Sequence, residues 1–203
     1  MEGEAELRRA DLASDPLEQF RSWFAEAGAT LEVPEAVALA TATPAGAPSV
    51  RMVLLKGFDE RGLVFYSHQT SRKGRELEAN PQAALLFHWS PLGRQVRVEG
   101  RVGRVSAEES DAYFATRPRG AQLGALASRQ SEPLSARSDL EERLAELESE
   151  LGDGPVPRPA TWGGFRLVPA AWEFWQHRAS RLHDRFHYEP EPTGGWRIDR
   201  LFP

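Results

Sequence analysis

The segment RQVRVEGRVGRV, residues 94–105, decides the fold class of this chain. Its valines alternate with charged residues, which is the two-residue period of a strand with one buried and one solvated face. The alternation fails near Gly100 and Gly103, where a β-bulge or a sharp bend is expected. We therefore predict a long strand that bends near its middle.

Shorter strand patterns lie on both sides of this segment. They cover residues 36–43, 49–58, 62–67, 83–89, 164–168, 172–176, 184–188 and 196–201. Helical patterns cover residues 71–80, 107–116, 121–127 and 139–151, and a first helix should begin after the capping residue Asp15 and stop at Gly28. Many short strands with helices between them predict an α+β fold that is mainly β: a small antiparallel barrel flanked by helices.

Composition limits the class of protein. The 203 residues include 25 basic and 30 acidic side chains, so the net charge of −5 argues against a nucleic-acid-binding module. There is no cysteine, and no apolar run reaches the length of a membrane span. We expect a mobile charged arm over residues 1–13, one domain over residues 14–203, and a cytoplasmic protein without membrane contact.

Two basic motifs are candidates for binding an anion. In RMVLLK, residues 51–56, strand alternation places Arg51 and Lys56 on opposite faces unless a bulge intervenes, so the two charges can serve different ligands. In SRK, residues 71–73, two cations follow a helix N-terminus, where unpaired N–H groups and the helix dipole already favour an anion. Solvated strand ends and an exposed basic turn are the alternative interpretations.

Polar groups further along the chain are weaker candidates. Tyr113 and Arg117 are four residues apart on a predicted helix, so they share a face and can hold a phosphate monoester. The motif SRQS, residues 128–131, and Gln95 offer groups that can bond the edge of a heterocycle, although a plain polar loop explains SRQS better when the motif is taken alone.

The motif RLHDR, residues 181–185, follows an aromatic run and has the strongest functional signal. If it is a strand, Arg181, His183 and Arg185 share one face, and Leu182 and Asp184 point away. Guanidinium groups stack on flat rings and neutralise phosphate, and His183 between two cations would stay neutral. No common catalytic motif or metal-ligand spacing is present, so an enzyme built from these residues needs a cofactor for its chemistry.

These motifs together resemble the pyridoxine/pyridoxamine 5′-phosphate oxidase family. The resemblance runs from about residue 15 to residue 203. It is carried in order by RMVLLK (51–56), FYS (65–67), SRK (71–73), RQVRVEG (94–100), YFATRPRGAQLGA (113–125), SRQS (128–131), WGGFRL (162–167), EFWQ (173–176), RLHDRF (181–186) and WRIDRLFP (196–203).

The resemblance implies an FMN-binding split β-barrel that works as a homodimer, with FMN at the interface and a dimerisation and substrate-binding segment over about residues 160–203. It implies oxidation of pyridoxine or pyridoxamine 5′-phosphate to pyridoxal 5′-phosphate: hydride passes from the substrate to flavin N5, and O2 is reduced to H2O2. Arg181 and His183 would be the catalytic residues. No metal is implied.

The resemblance also assigns binding residues. FMN would be bound by Arg51, Met52, Val53, Leu54, Leu55, Lys56, Tyr66, Ser67, Arg72, Lys73, Gln95, Gln130, Ser131, Trp175 and Arg185. The substrate would be bound by Lys56, Tyr113, Arg117, Arg181, Leu182 and His183.

One contact position departs from the family pattern. The family motif usually reads RPxxSQ, and its serine helps to bind the substrate phosphate, whereas here Ala121 precedes Gln122. Loss of one hydrogen bond to a charged group costs roughly 1.5–3 kcal/mol unless water or Arg119 replaces it. Two alternatives stay open: a related split-barrel FMN oxidase that acts on a phenazine precursor, and a flavin- or pyridoxal-phosphate-binding protein without turnover.

Overall fold

The computed structural model describes residues 6–203, and this range contains eight strands and five α-helices. The strands are β1 (Ala36–Ala42), β2 (Pro48–Asp59), β3 (Gly62–His68), β4 (Gln82–Trp89), β5 (Arg94–Arg104), β6 (Trp162–Gln176), β7 (Asp184–Pro190) and β8 (Trp196–Arg200). The helices are α1 (Pro16–Thr30), α2 (Arg72–Ala79), α3 (Ala107–Thr116), α4 (Arg119–Ala127) and α5 (Arg137–Leu151).

Six of the strands close into an antiparallel barrel. The sheet order is β3-β2-β1-β4-β5-β6-β7-β8, and a further pairing between β3 and β6 closes the ring. Phe65 of β3 lies opposite Phe165 of β6, and their rings stack at 5.4 Å between centroids. Strands β7 and β8 extend the sheet beyond the barrel. The predicted antiparallel barrel flanked by helices is confirmed.

Strand β6 joins the barrel to this extension. The sequence predicts two strands, at 164–168 and 172–176, and this is wrong because β6 runs unbroken from Trp162 to Gln176. The β5–β6 register shifts at the predicted position, between Glu99 and Gly100, but the extra residue is Ala170 on β6, and β5 pairs with β4 through Gly100 without a shift. A Cβ atom on Gly100 would lie 2.0 Å from the carbonyl oxygen of Val168, so only glycine fits there. At Gly103 the pairing continues without a shift.

Helix α1 packs its aromatic stripe against the barrel core. The Asp15 carboxylate accepts a hydrogen bond from the Leu17 N–H at 2.8 Å, as the capping pattern predicts. Phe20 is fully buried and contacts Phe87 and Trp172. The predicted stop at Gly28 is wrong, because α1 continues to Thr30 with helical hydrogen bonding.

Residues just before α1 pack against the end of β7. Leu7 and Leu12 are buried in the barrel core, and the Leu7 N–H donates to Asp184 at 3.1 Å. The mobile arm predicted over residues 1–13 therefore makes fixed contacts where it is described, and residues 1–5 lie outside the described range. The domain boundary at residue 13 stays a prediction.

Helices α3, α4 and α5 form a second apolar cluster beside the barrel. Phe114, Leu123 and Leu147 pack there with Trp162, the first residue of β6. Arg119 donates to the carbonyl oxygens of Gly152 and Gly154 after the end of α5, and it therefore stabilises this helix end. Of the helices in the described range, none combines the length and apolar character needed to cross a bilayer.

Candidate active site

A cavity of about 730 Å³ lies between the strands β2 and β3 and the helices α2, α3 and α4. We call it the main cavity. Predicted site residues that line it are Met52, Val53, Leu54, Lys56, Tyr66, Ser67, Lys73, Tyr113, Arg117 and Gln130. Its other lining residues are His68, Thr116, Pro118, Ala121, Gly124, Ala125, Ser128 and Trp162. The fold thus brings together motifs that are far apart in sequence.

Lys73 forms one end of this cavity, at the N-terminus of α2. Its side chain is buried, and its Nζ donates to Ser67 Oγ at 3.0 Å and to Gln130 Oε1 at 2.9 Å. Burial, and then the nearby Arg51 guanidinium, lower the pKa of Lys73 to about 8. Among the described residues, no carboxylate forms an ion pair with it. A buried ammonium group that has only neutral partners is suited to bind an anionic ligand.

Arg51 and Lys56 have different surroundings on β2, and a β-bulge lies at Lys56, because the register with β3 shifts between Leu55 and Gly57. Arg51 points inward, where its Nη2 lies 3.1 Å from the buried carboxylate of Glu76. Lys56 lines the main cavity and pairs with Glu35 at 3.5 Å. Between them, the Leu55 side chain is buried in the barrel core, which leaves only its backbone for ligand contact.

Arg117 lines the main cavity beside an aromatic stack. The rings of Tyr66 and Tyr113 are stacked at 3.9 Å between centroids, and the Arg117 guanidinium lies 4.8 Å from the Trp162 ring. Burial lowers the pKa of Arg117. Its Nη1 is the one buried side-chain polar atom among the described residues that lacks a hydrogen-bond partner. An orphaned, charged donor beside a cavity indicates a site for an anion.

His68 and Trp162 are lining residues that the sequence analysis missed. His68 is buried, and desolvation, followed by repulsion from Lys73 and Arg117, lowers its pKa. The signal for His68 was its place after FYS on a predicted strand. For Trp162 the signal was its motif WGGFRL, but neither pattern shows that the residue faces a cavity.

Six further predicted residues form a second group on β5, β6, β7 and the turn before β7. Gln95, Trp175 and Arg185 lie side by side across three paired strands. This group, which we call the β5–β7 group, also contains Arg181, Leu182 and His183. None of its members lines the main cavity.

The proposed strand face in RLHDR is wrong. Strand β7 begins only at Asp184, and Arg181 ends a short 3₁₀ turn over Ala179–Arg181. Ser180 and Arg181 have φ angles of 57° and 61°, so the chain reverses there and strand alternation does not apply. Arg181 is exposed, whereas His183 is half-buried: it accepts a hydrogen bond from the Arg178 N–H at 3.1 Å and lies 4.5 Å from the Trp175 ring.

Buried carboxylates hold Arg185 of the β5–β7 group and Arg72 of the SRK motif. Arg185 donates to Glu173 through Nε at 2.8 Å and Nη2 at 3.1 Å, and Glu173 is buried. Arg72 donates through Nε to Glu76 at 2.9 Å.

Ser131 is exposed with a φ of 73° and does not line the main cavity. Arg119, considered as a substitute for a missing serine hydroxyl, is already bonded to the carbonyl groups after α5.

The closed barrel and its helical flank define a split-barrel protein, and its cavity is lined by the cations Lys56, Lys73 and Arg117. A family model described as pyridoxamine 5′-phosphate oxidase matches residues 24–149. A second, the pyridoxine 5′-phosphate oxidase C-terminal dimerisation region, matches residues 162–203. The chain therefore belongs to the pyridoxamine 5′-phosphate oxidase family, and the resemblance seen in its motifs is confirmed.

Curated relatives match along almost the whole chain. The pyridoxine/pyridoxamine 5′-phosphate oxidase of Rubrobacter xylanophilus is 61% identical over 204 residues, which covers 98% of this chain and 94% of the relative. The protein of the same name from Cupriavidus taiwanensis is 57% identical over 198 residues, with 97% and 93% covered.

Solved structures share the fold. PhzG from Burkholderia lata 383, in complex with tetrahydrophenazine-1-carboxylic acid, superposes with a TM-score of 0.91 at 34% identity, covering 99% of this chain and 100% of that chain. A pyridoxamine 5′-phosphate oxidase-related, FMN binding protein from Nostoc punctiforme has a TM-score of 0.72 at 19% identity, covering 91% and 97%. The predicted split-barrel fold is thus confirmed.

Proposed function

We propose that this protein is an FMN-dependent oxidase that converts pyridoxine 5′-phosphate or pyridoxamine 5′-phosphate to pyridoxal 5′-phosphate. The observation that carries this proposal is the unpaired Nη1 of Arg117 in a cavity that also contains Lys56 and Tyr113. Two cations and a phenol hydroxyl suit a phosphate monoester. Relatives of the same name at 57–61% identity support the choice of substrate.

The residues around Lys73 fit the phosphate of FMN. Lys73, Ser67 and Gln130 form one connected hydrogen-bond cluster there, with Arg51 and Arg72 beside it. The helix N-terminus capped by Ser71 adds N–H groups that favour a negative charge. The cavity volume of about 730 Å³ lies in the usual range for ligand pockets of roughly 300–1,000 Å³.

The residues of this chain bind and orient, and the cofactor supplies the redox chemistry. When bound, FMN would supply the hydride acceptor, with O2 as the final electron acceptor that leaves as H2O2; the amine substrate would also take up water and release ammonia. Arg181 holds the substrate ring, and His183 positions or deprotonates its alcohol or amine. Lys56, Tyr113 and Arg117 fix the substrate phosphate, so that binding energy orients the reacting carbon.

The β5–β7 group reaches the main cavity of a second copy in a homodimer. Support comes from the matched dimerisation region at residues 162–203 and from the outer face of β2 and β4, where Val50, Met52, Leu54 and Leu86 are exposed. An apolar strand face of this kind is typical of a protein interface. FMN then lies between the subunits, with the phosphate site from one chain and Trp175 and Arg185 from the other.

Mixed dimers test this arrangement. Arg117→Ala and Arg181→Ala chains, which should each have low activity at pyridoxine 5′-phosphate concentrations well below the wild-type KM, are combined in equal amounts after denaturation and refolding and are assayed at such a concentration. If each site uses both chains, half of the dimers are mixed and each has one intact site, so about a quarter of wild-type activity returns. Activity that stays at the level of the separate variants would contradict a shared site.

The flavin absorbance of the FMN-loaded protein tests the reaction itself. Anaerobic addition of pyridoxine 5′-phosphate should bleach the flavin, and air should restore it with release of H2O2. A bound flavin that stays oxidised would contradict the proposed substrate. Binding without turnover of either phosphorylated vitamer would instead support a ligand-holding protein.

We place the protein in the cytoplasm, as its composition predicts.

A second candidate is oxidation of a phenazine precursor. It is favoured by the TM-score of 0.91 to PhzG bound to tetrahydrophenazine-1-carboxylic acid, and by Ala121 at a phosphate-contact position. A substrate without a phosphate group does not need Lys56 or Arg117. Lys56→Ala and Arg117→Ala should therefore keep their kcat/KM toward the precursor and lose it toward pyridoxine 5′-phosphate.

A further inference from the structure

Glu76 is a buried carboxylate inside a cluster of cations, and nothing in the proposed binding of FMN uses it directly. Its side chain is 6% exposed and lies on the second turn of α2. Its Oε2 accepts hydrogen bonds from Thr41 Oγ1 and Ser49 Oγ, both at 2.5 Å, and from Arg51 Nη2 at 3.1 Å. Its Oε1 accepts from Arg72 Nε at 2.9 Å.

The helix itself gives little reason for this pair. Arg72 precedes Glu76 by four residues, which is the weaker orientation of an i,i+4 pair, and a cation in the first turn opposes the helix dipole. Burial of a carboxylate is costly unless its hydrogen bonds are satisfied, and here four donors satisfy it. Those donors lower the pKa of Glu76 to about 2, so it stays ionised.

The same network fixes Arg51. Its Nη1 donates to Thr41 Oγ1 at 2.5 Å and to the Leu39 carbonyl at 3.2 Å, and its Nη2 donates to Ser49 Oγ at 2.5 Å. Thr41 and Ser49 therefore contact both the arginine and the carboxylate. This connected arrangement sets the orientation of a guanidinium on which the flavin phosphate depends.

We propose that Glu76 is a positioning residue for the flavin phosphate, which holds Arg51 and Arg72 in place without contacting the phosphate itself. This inference rests on the proposed function. The charges agree with it: Arg51, Arg72 and Lys73 carry three positive charges and Glu76 carries one negative charge, which leaves two for a phosphate dianion. Glu76 thus matches the charge of the site to the ligand while it orders the arginines.

The test compares FMN with riboflavin, which has the same ring and no phosphate. Full-length protein freed of flavin is titrated with each, and the quenching of flavin fluorescence gives both Kd values. Glu76→Gln should weaken FMN binding about tenfold, as for the loss of one charge-assisted contact, and leave the riboflavin Kd unchanged. Glu78→Gln is the matched control, because Glu78 is an exposed residue of the same helix that pairs with Arg104.

Each of the other outcomes contradicts one part of the proposal. If Glu76→Gln bound FMN as tightly as the wild type or more tightly, the orientation of Arg51 and Arg72 would not matter for binding. Glu76 would then only reduce the positive charge of the site. If both flavins weakened equally, the role would be structural. If wild-type protein did not prefer FMN to riboflavin, the phosphate site and the proposed function would fail together.

Ser49→Ala is a second variant, for the case in which Glu76→Gln does not fold. It removes one hydroxyl that contacts both Glu76 and Arg51 and leaves all charges in place. We expect FMN binding to weaken about threefold, again without change for riboflavin. A loss shared by both flavins, or no loss, would contradict the positioning role.

Discussion

The main cavity and the β5–β7 group contain similar kinds of residues but differ in how they are held. In the main cavity, Lys73 and Arg117 are desolvated cations whose partners are neutral or absent among the described residues. In the β5–β7 group, Arg185 is tied to a buried carboxylate, and Arg181 and Leu182 are exposed. The first region is prepared for anions, whereas the second presents side chains outward. This difference agrees with the proposal that the two surfaces have different roles and meet in a dimer.

Loss of Arg181 should have the largest effect, on turnover alone. Arg181→Ala, and likewise His183→Ala, should lower kcat about a hundredfold, since a positioned polar group contributes to the chemical step. The FMN Kd should not change, because the proposed function assigns both residues to the substrate and not to the flavin. Steady-state kinetics and flavin titration measure the two quantities, with Arg197→Ala on β8 as the control. If FMN binding weakened together with kcat, the two regions would not differ in function as proposed.

Arg117→Met should act on substrate affinity. Methionine keeps the apolar contact with Trp162 and removes the unpaired guanidinium, so KM for pyridoxine 5′-phosphate should rise about thirtyfold with little change in kcat. Arg119→Met should lower stability instead, because Arg119 bonds carbonyl groups after α5. An unchanged KM in Arg117→Met would place the substrate phosphate elsewhere.

Lys73 should make the stability of the flavin-free protein depend on pH. Its pKa is about 8 when folded and 10.5 as the ordinary value, so between these values the unfolded chain holds more protons. The contribution of Lys73 to the free energy of unfolding, which is the difference between wild type and Lys73→Met, should therefore rise from pH 8 to 10.5, with a slope of at most about 1.4 kcal/mol per pH unit. Urea unfolding of the two proteins measures this difference. An equal slope in both would contradict the assignment.

FMN should reduce this pH dependence, because a bound phosphate favours the charged form of Lys73 and raises its pKa. The FMN-loaded protein should then gain less stability between pH 8 and 10.5 than the flavin-free protein. The β5–β7 group lacks a buried lysine, so substitution of Arg185 should not alter the slope.

Ala121→Ser should have the smallest effect. It restores the hydroxyl that the family usually has beside the substrate phosphate, and Ala121 lines the main cavity near Arg117. One added hydrogen bond should lower KM for pyridoxine 5′-phosphate about threefold. Ala115→Ser on the exposed face of α3 is the control. If KM rose, the position would not face the phosphate.

Much of the fold could be predicted because local patterns agree with it. Helix α3 begins and ends where its pattern predicts, and Asp15 caps α1 as expected. Strand β6 could not be predicted as one element, because Pro169 lies beside a bulge on β6 itself, where a missing N–H is tolerated. Gly28 was misjudged because packing of α1 outweighs the low helix propensity of glycine.

The candidate site was predicted by residue type and less well by geometry. Cations at a helix N-terminus and on alternate strand faces led to Lys73, Arg51 and Lys56. The positive φ angles of Ser180 and Arg181 leave no mark in the sequence, so RLHDR was assigned to a strand. The burial of Glu76 was also invisible, because a glutamate among charged residues usually indicates a solvated helix face.

The pairing that closes the barrel has a consequence for when the protein can first acquire its flavin. Leu63 of β3 pairs with Leu167 of β6, and the whole segment from β4 to α5 lies between them in the chain. Such distant pairings form slowly, since loop-closure entropy is lost before contacts are gained. Tyr66 and Trp162 reach the main cavity from the two sides of this seam. With FMN bound as proposed, flavin uptake during refolding should therefore follow both completion of the barrel and assembly of the dimer.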